Sequence, residues 1–230
     1  MPSSHTGPRA GSDSSSRARV RRTGRRLFGF DRALGVRFVA GADEAGRGSL
    51  AGPLVAAAVL FDLERLRPGD VRALGALNDS KQHTPETRAE LVGVILRVAA
   101  RVAIVSRCAP GIDERGLHVT NLAALRDALR RVWCDGCICL SDGFSLGGPG
   151  YRAVIGGDAR SAAIAAASVI AKETRDRYMR RADHVHPGFQ FAQHVGYSTP
   201  EHREAIERLG VSPLHRLSFQ SIAYQQLEFL

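Results

Sequence analysis

Residues 38–61 read FVAGADEAGRGSLAGPLVAAAVLF. Apolar runs at Phe38–Ala42 and Leu54–Phe61 predict two short strands joined by a glycine-rich bend. The bend holds two adjacent carboxylates, Asp43 and Glu44, followed by Gly46-Arg47-Gly48. Downstream, Thr84-Pro85-Glu86 predicts a helix start: threonine caps, proline suits the first helical position, and glutamate suits the positive helix end. That helix is expected to run to about Val98, with a strand at Ala99–Ser106 and an amphipathic helix at Gly116–Trp133. Further strands are expected at Cys137–Leu140 and, briefly, at Val154-Ile155, before a long helix from Ser161 to about Ala182. Residues 196–230 mix proline-containing turns with helices. Strands and helices alternating in this way imply a mixed α/β sheet flanked by helices.

The chain has 230 residues, 44% of them hydrophobic and 24% charged, which excludes wholesale disorder. No apolar run is long enough to span a membrane, and the first residues lack the apolar stretch of a secretory signal. Four cysteines are too few for a disulfide scaffold, so a cytoplasmic setting is expected. The 32 basic and 23 acidic residues give a net charge of +9. Arg9, Arg17, Arg19, Arg21, Arg22, Arg25 and Arg26 lie near the start with only Asp13 against them, so residues 1–27 read as a disordered tail and 28–230 as the folded domain. Such a tail either adds non-specific affinity for a polyanion or is a plain solvated extension.

The glycine-rich bend is not a phosphate cradle. A P-loop needs Lys and then Ser or Thr after its second glycine, where this chain has Arg47 and Gly48. The spacing of Gly46, Gly48 and Gly52 also misses the dinucleotide fingerprint. The acidic pair points elsewhere. Neighbours on a regular strand face opposite ways, so Asp43 and Glu44 are expected to share a ligand only if the backbone kinks, as Gly46 and Gly48 permit. Close carboxylates repel unless a cation lies between them, and hard oxygen ligands suit magnesium or manganese. On spacing alone an exposed turn with two solvated acids fits equally well. Asp142 ends the third apolar strand and Asp158 precedes the long helix, so four carboxylates stand at element ends, the arrangement a two-metal nuclease needs.

Lysine is scarce: 30 of the 32 basic residues are arginine, and the lysines are Lys81, in Asp79-Ser80-Lys81, and Lys172. A compact point charge for phosphate is one reason to use lysine there. Ser168, Lys172 and Asp176 recur every four residues and share one face of the long helix. Asp176 reads as one half of a structural pair with an arginine.

These segments together resemble bacterial ribonuclease HII. The resemblance spans about residues 38–223 and rests on GADEAGRGSLAGPLVAAAVL, NDSK, SDGF, GGDARSAAIAAASVIAKETRDRYM, VGYSTPEHREAI and GVSPLHRLSF in that order. It implies a ribonuclease H-like fold with a helical C-terminal part. It also implies endonucleolytic cleavage of RNA in RNA–DNA hybrids and at single ribonucleotides in duplex DNA, leaving 3′-hydroxyl and 5′-phosphate ends. By resemblance Asp43, Glu44, Asp142 and Asp158 hold two Mg2+ or Mn2+ ions, and Gly46-Arg47-Gly48 contacts the ribonucleotide 2′-hydroxyl. Tyr197 packs against the neighbouring sugar, and Lys81, Ser168 and Lys172 contact phosphate. A monomer without membrane attachment is expected. Three positions depart from the family pattern: Gly156, Gln82 and Val195 stand where lysines are usual. The alternatives are a hybrid-binding protein that does not cut, and a junction resolvase, which would require a dimer. Cys134, Cys137 and Cys139 read as structural rather than as zinc ligands, His184 and His186 as surface residues, and His202 and His215 as capping or hydrogen-bonding residues.

Overall fold

The computed structural model describes residues 24–77, 83–219 and 224. Five strands, β1 (Phe38–Ala45), β2 (Leu54–Asp62), β3 (Arg101–Arg107), β4 (Cys137–Asp142) and β5 (Tyr151–Val154), form one sheet in the order β3-β2-β1-β4-β5. The β1–β2 and β2–β3 pairs are antiparallel, whereas β1–β4 and β4–β5 are parallel. The sheet is therefore mixed, as the alternation of elements implies.

Helices cover both faces: α1 (24–32), α2 (Pro68–Ala73), α3 (Pro85–Val98), α4 (Ala109–Arg115), α5 (Leu117–Val132), α6 (Ala162–Val185), α7 (Phe191–His194) and α8 (Pro200–Leu209). Thr84 and Ser161 cap α3 and α6 through their hydroxyls, at the starts the sequence predicts. Strand β2 is buried along its whole length, because α6 lies over one face of the sheet and α5 over the other. The first turns of α6 are small and apolar, which lets the helix sit close to β1. At Gly41 a Cβ would overlap the α6 backbone at Ala163 and Ile164.

A third apolar cluster joins α7, α8 and the end of α6 around Phe189, Phe191, Met179 and Ile206. It is tied to the segment after β1 by a bridge from Ala51 to His215. Among the described residues no helix is long and apolar enough to cross a membrane.

Several expectations need correction. Folded structure begins before residue 28: α1 starts at 24, and Leu27 is fully buried beside Phe28. Residues 1–23 lie outside the described residues. β5 occupies Tyr151–Val154 rather than Val154-Ile155, because pairing with β4 runs from Cys139↔Tyr151 to Asp142↔Val154. Ile155 is left 82% exposed in the following turn. The polar connection after β2 contains α2, and α4 precedes α5.

Candidate active site

β1 and β4 run parallel, so their C-terminal ends open at the same edge of the sheet, where ligands of open α/β sheets lie. The last β1–β4 register pair is Ala42↔Ser141. Asp43 and Glu44 come next on β1, and Asp142 comes next on β4. Both β1 acids lie inside the strand, opposite Ala57 and Ala56 of β2, and no kink is needed to bring them to one place. Strand alternation sends Asp43 to the α6 face, where Ser168 hydrogen-bonds it, and Glu44 to the α5 face beside Asn121. The cleft lies past the end of the β1–β4 ladder, so the two side chains reach it from opposite faces. Asp158 arrives from the 3-10 turn Gly157–Ala159, whose Gly157 N–H donates to Asp142 Oδ1 at 2.7 Å. All four carboxylates line this cleft together with Gly46, Arg47, Gly48, Ser168, Lys172 and Tyr197.

The cluster is electrostatically uncomfortable by itself. Burial, aided by the Glu44 and Asp142 charges, raises Asp43 to about 7 against the opposing Ser168 hydrogen bond. Burial likewise pushes Glu44 up to about 7, against the pull of Arg47 and Asn121. Glu44 Oε2 is buried without a hydrogen-bond partner among the described residues. Crowded carboxylate oxygens that resist ionisation, one of them unsatisfied, are the donor set that a hard divalent cation fits. Among the described residues no three potential ligands close on a common point.

The turn after β1 is held from beneath by two buried arginines that motif spacing did not single out. Arg175 of α6 donates to Ser49 Oγ at 2.7 Å, to the Ala51 carbonyl at 3.0 Å and to the Pro53 carbonyl at 3.0 Å. Arg216 donates to the Gly52 carbonyl at 2.8 Å and to the Arg47 carbonyl at 3.0 Å. Burial lowers the Arg216 pKa to about 10, which leaves it charged at neutral pH. The turn's carbonyls thus point inward to cations. Each arginine sits inside a quoted motif, TRDRYM or LHRLSF, and that membership was the available signal.

Tyr197 is set beside the turn by Gly196, whose carbonyl accepts from Ala51 N–H at 3.2 Å. Val195, just before it, has φ +44°, a left-handed conformation that a β-branched residue rarely adopts. The Tyr197 ring lies under two cations, Lys172 Nζ at 5.6 Å and Arg175 Cζ at 5.4 Å.

Lys172 is anchored as well as charged: it pairs with Asp176 at 2.9 Å, and Asp176 pairs with buried Arg88 of α3 at 3.0 Å. The structural role expected for Asp176 is therefore observed. Lys81 lies outside the described residues.

A family model described as Ribonuclease HII matches residues 40–222. The chain belongs to the ribonuclease HII family. The ribonuclease HII of Rhizobium leguminosarum bv. trifolii is 50% identical over 188 residues, covering 80% of this chain and 78% of that protein. The Rhodococcus erythropolis ribonuclease HII is 46% identical over 188 residues, covering 80% of each chain. The crystal structure of ribonuclease H2 from Pyrococcus horikoshii OT3 superposes with a TM-score of 0.70 at 25% identity, covering 84% of this chain and 98% of that one.

The fold is accordingly ribonuclease H-like, and the protein is a ribonuclease H, an endoribonuclease. The matched span includes every candidate residue of this ribonuclease HII cleft, whereas α1 precedes it. The cysteines stay outside the site at the start of β4: Cys137 and Cys139 sulfurs are 3.8 Å apart, and burial pushes the Cys139 thiol up to about 12. His202 and His215 are buried and joined through their Nε2 atoms at 3.1 Å, bracing the C-terminal helices rather than lining the cleft.

Proposed function

We propose that this ribonuclease HII cuts the RNA strand of RNA–DNA hybrids and nicks duplex DNA on the 5′ side of single embedded ribonucleotides, leaving 3′-hydroxyl and 5′-phosphate ends. The observation that carries the reading is the convergence of Asp43, Glu44, Asp142 and Asp158 in one cleft with Gly46-Arg47-Gly48 and Tyr197. The four acids would hold the divalent ions, magnesium or manganese. Bound there, such ions neutralise charge on the phosphate and acidify an attacking water.

The chain's own residues do the rest. The Gly46-Arg47-Gly48 backbone, its carbonyls drawn inward by Arg216 and Ser49, is left to face the ribose, and a 2′-hydroxyl is what separates RNA from DNA at a given position. The Tyr197 ring, set in place by Gly196, supplies a flat surface for the adjoining sugar. Lys172, held by Asp176, presents its ammonium to the phosphate side of the cleft, with Ser168 one helical turn away.

The test is incubation with a DNA duplex carrying one ribonucleotide, with magnesium or manganese. A single nick 5′ of the ribonucleotide is expected, and Asp43→Asn is expected to abolish nicking while still binding hybrid. Binding without nicking by the unaltered chain, or cutting of an all-DNA junction, would overturn the proposal.

A further inference from the structure

A second cleft, away from the carboxylates, opens between α1 and α2. Arg25 and Arg32 of α1 and Arg72 of α2 line it, over Leu66, Pro68 and Val71. All three arginines are exposed, and none has an ion pair with a described residue. The nearby acids take their hydrogen bonds elsewhere, although Asp31 also feels the Arg32 charge. Asp31 is buried on another side of α1 and accepts from the Ala163 N–H at 3.1 Å, and Asp70 accepts from the Arg67 N–H at 2.8 Å.

The cleft is built on a fixed frame. A Cβ on Gly24 would lie 2.7 Å from the Gly75 Cα, so the start of α1 rests directly against the segment closing α2. Leu27 and Phe28 anchor the helix in the core, with the Phe28 ring edge-on to Phe61 at 5.4 Å between centroids. The same helix touches the turn that carries Asp158: Arg26 donates to the Ala159 carbonyl at 3.0 Å, next in the chain to Asp158, and Arg160 lies 5.3 Å over the Phe30 ring.

Arg25 and Arg32 are two helical turns apart on one face, roughly 10 Å along the axis at 1.5 Å per residue. One strand of a duplex presents a phosphate about every 3.4 Å along its axis, so that separation matches a short run of phosphates. A closed pocket for a small anion would gather its donors around one point. Here guanidiniums, whose forked donors suit phosphate oxygens, are strung along an open wall.

We infer that this arginine cleft holds the phosphodiester backbone of the duplex flanking the cut, extending the substrate footprint beyond the acidic site. The inference rests on the nucleic-acid reading above. It adds a surface whose α1 arginines precede the family-matched residues 40–222.

The experiment is a salt titration of the full chain binding a fluorescent 30-base-pair all-DNA duplex, a probe that needs no cutting. Each phosphate contact contributes about 0.9 to the slope of log affinity against log salt. The double variant Arg32→Gln/Arg72→Gln is expected to lower that slope by roughly 1.8 and to weaken binding at least about tenfold near 0.1 M salt. Arg32→Lys/Arg72→Lys is expected to keep the slope, and Arg131→Gln, an exposed arginine on α5, serves as the control. Unaltered circular dichroism confirms that the variants fold. A Gln double variant with the slope of the Arg131→Gln control would overturn the inference. Failure of the unaltered chain to nick a ribonucleotide-containing duplex would instead overturn the functional reading, leaving the slope to judge the cleft.

Discussion

The backbone at Gly46 lies directly against the guanidinium of Arg175, so that a methyl group at position 46 would overlap Nε and Cδ. Gly46 also has φ +84°, a conformation L-residues avoid. The overlap falls on a buried side chain bonded to Ser49, Ala51 and Pro53, which has nowhere to retreat. Gly46→Ala is therefore expected to destabilise the protein by roughly 2–5 kcal/mol, from strain and overpacking together. Gly48, two residues on, meets nothing within 4 Å of an added Cβ, and Gly48→Ala should change stability by no more than about 0.5 kcal/mol. Urea unfolding of the two variants checks the contrast.

Arg88 sits between Asp176 at 3.0 Å and Glu173 at 3.6 Å, all three buried. Removing Arg88 leaves each carboxylate to less buried cations, Lys172 for Asp176 and Arg180 for Glu173. Arg88→Ala should cost about 2–3 kcal/mol in chemical denaturation, more than truncating an exposed arginine.

If the acidic cleft binds divalent ions, those ions stabilise the folded state by mass action, independently of any cutting. Magnesium or manganese at about 100 times its dissociation constant should add roughly 2.7 kcal/mol to the unaltered chain. The same addition should leave the melting temperature of Asp43→Asn nearly unmoved. Calorimetric melts with and without ion, on protein first treated with chelator, read this directly.

The C-terminal helices should be acid-sensitive. Burial pushes His202 and His215 down to about 4 from the usual 6.5, so between these values the unfolded chain binds protons that the folded chain refuses. Their contribution is therefore complete above pH 6.5 and is lost as pH falls toward 4, by on the order of 3 kcal/mol for each histidine. Asp43 and Glu44, raised to about 7, act with the opposite sign over the same window. The histidine share is isolated by comparing unaltered protein with His202→Gln, whose stability at pH 5 relative to pH 7 should fall less.

Lys172→Met removes the anchored cation of the cleft but leaves Asp176 paired with Arg88. Cutting of a ribonucleotide-containing duplex should drop about 100-fold, as for loss of one preorganised electrostatic partner. Loss of less than threefold in single-turnover assays would take Lys172 out of the phosphate contact.

The parts of the fold legible in advance were those whose signals are local. Thr84 and Ser161 each carry a capping hydroxyl where a helix begins, and the apolar runs of β1, β2 and β4 are long enough to announce themselves. The short helices α2 and α4 were not legible. Each is under eight residues, too short to be stable except when docked, so no local pattern marks it. The bounds of β5 depended on which residues of β4 it pairs with, a matter of register rather than composition.

The sequence by itself determined which side chains were candidates for the cleft: four carboxylates, a Gly-Arg-Gly turn, one tyrosine and a rare lysine, each in an ordered motif, because residue identity is a property of the chain. Only the tertiary structure decided how these act together. Asp43 and Glu44 leave opposite faces of β1 and meet because parallel pairing with β4, nearly a hundred residues away, ends one residue before them. Arg175 and Arg216 became supports of the turn because the core excludes water around them, so their charges turn to the nearest backbone carbonyls. Such convergence depends on packing between distant segments, which spacing along a chain does not encode.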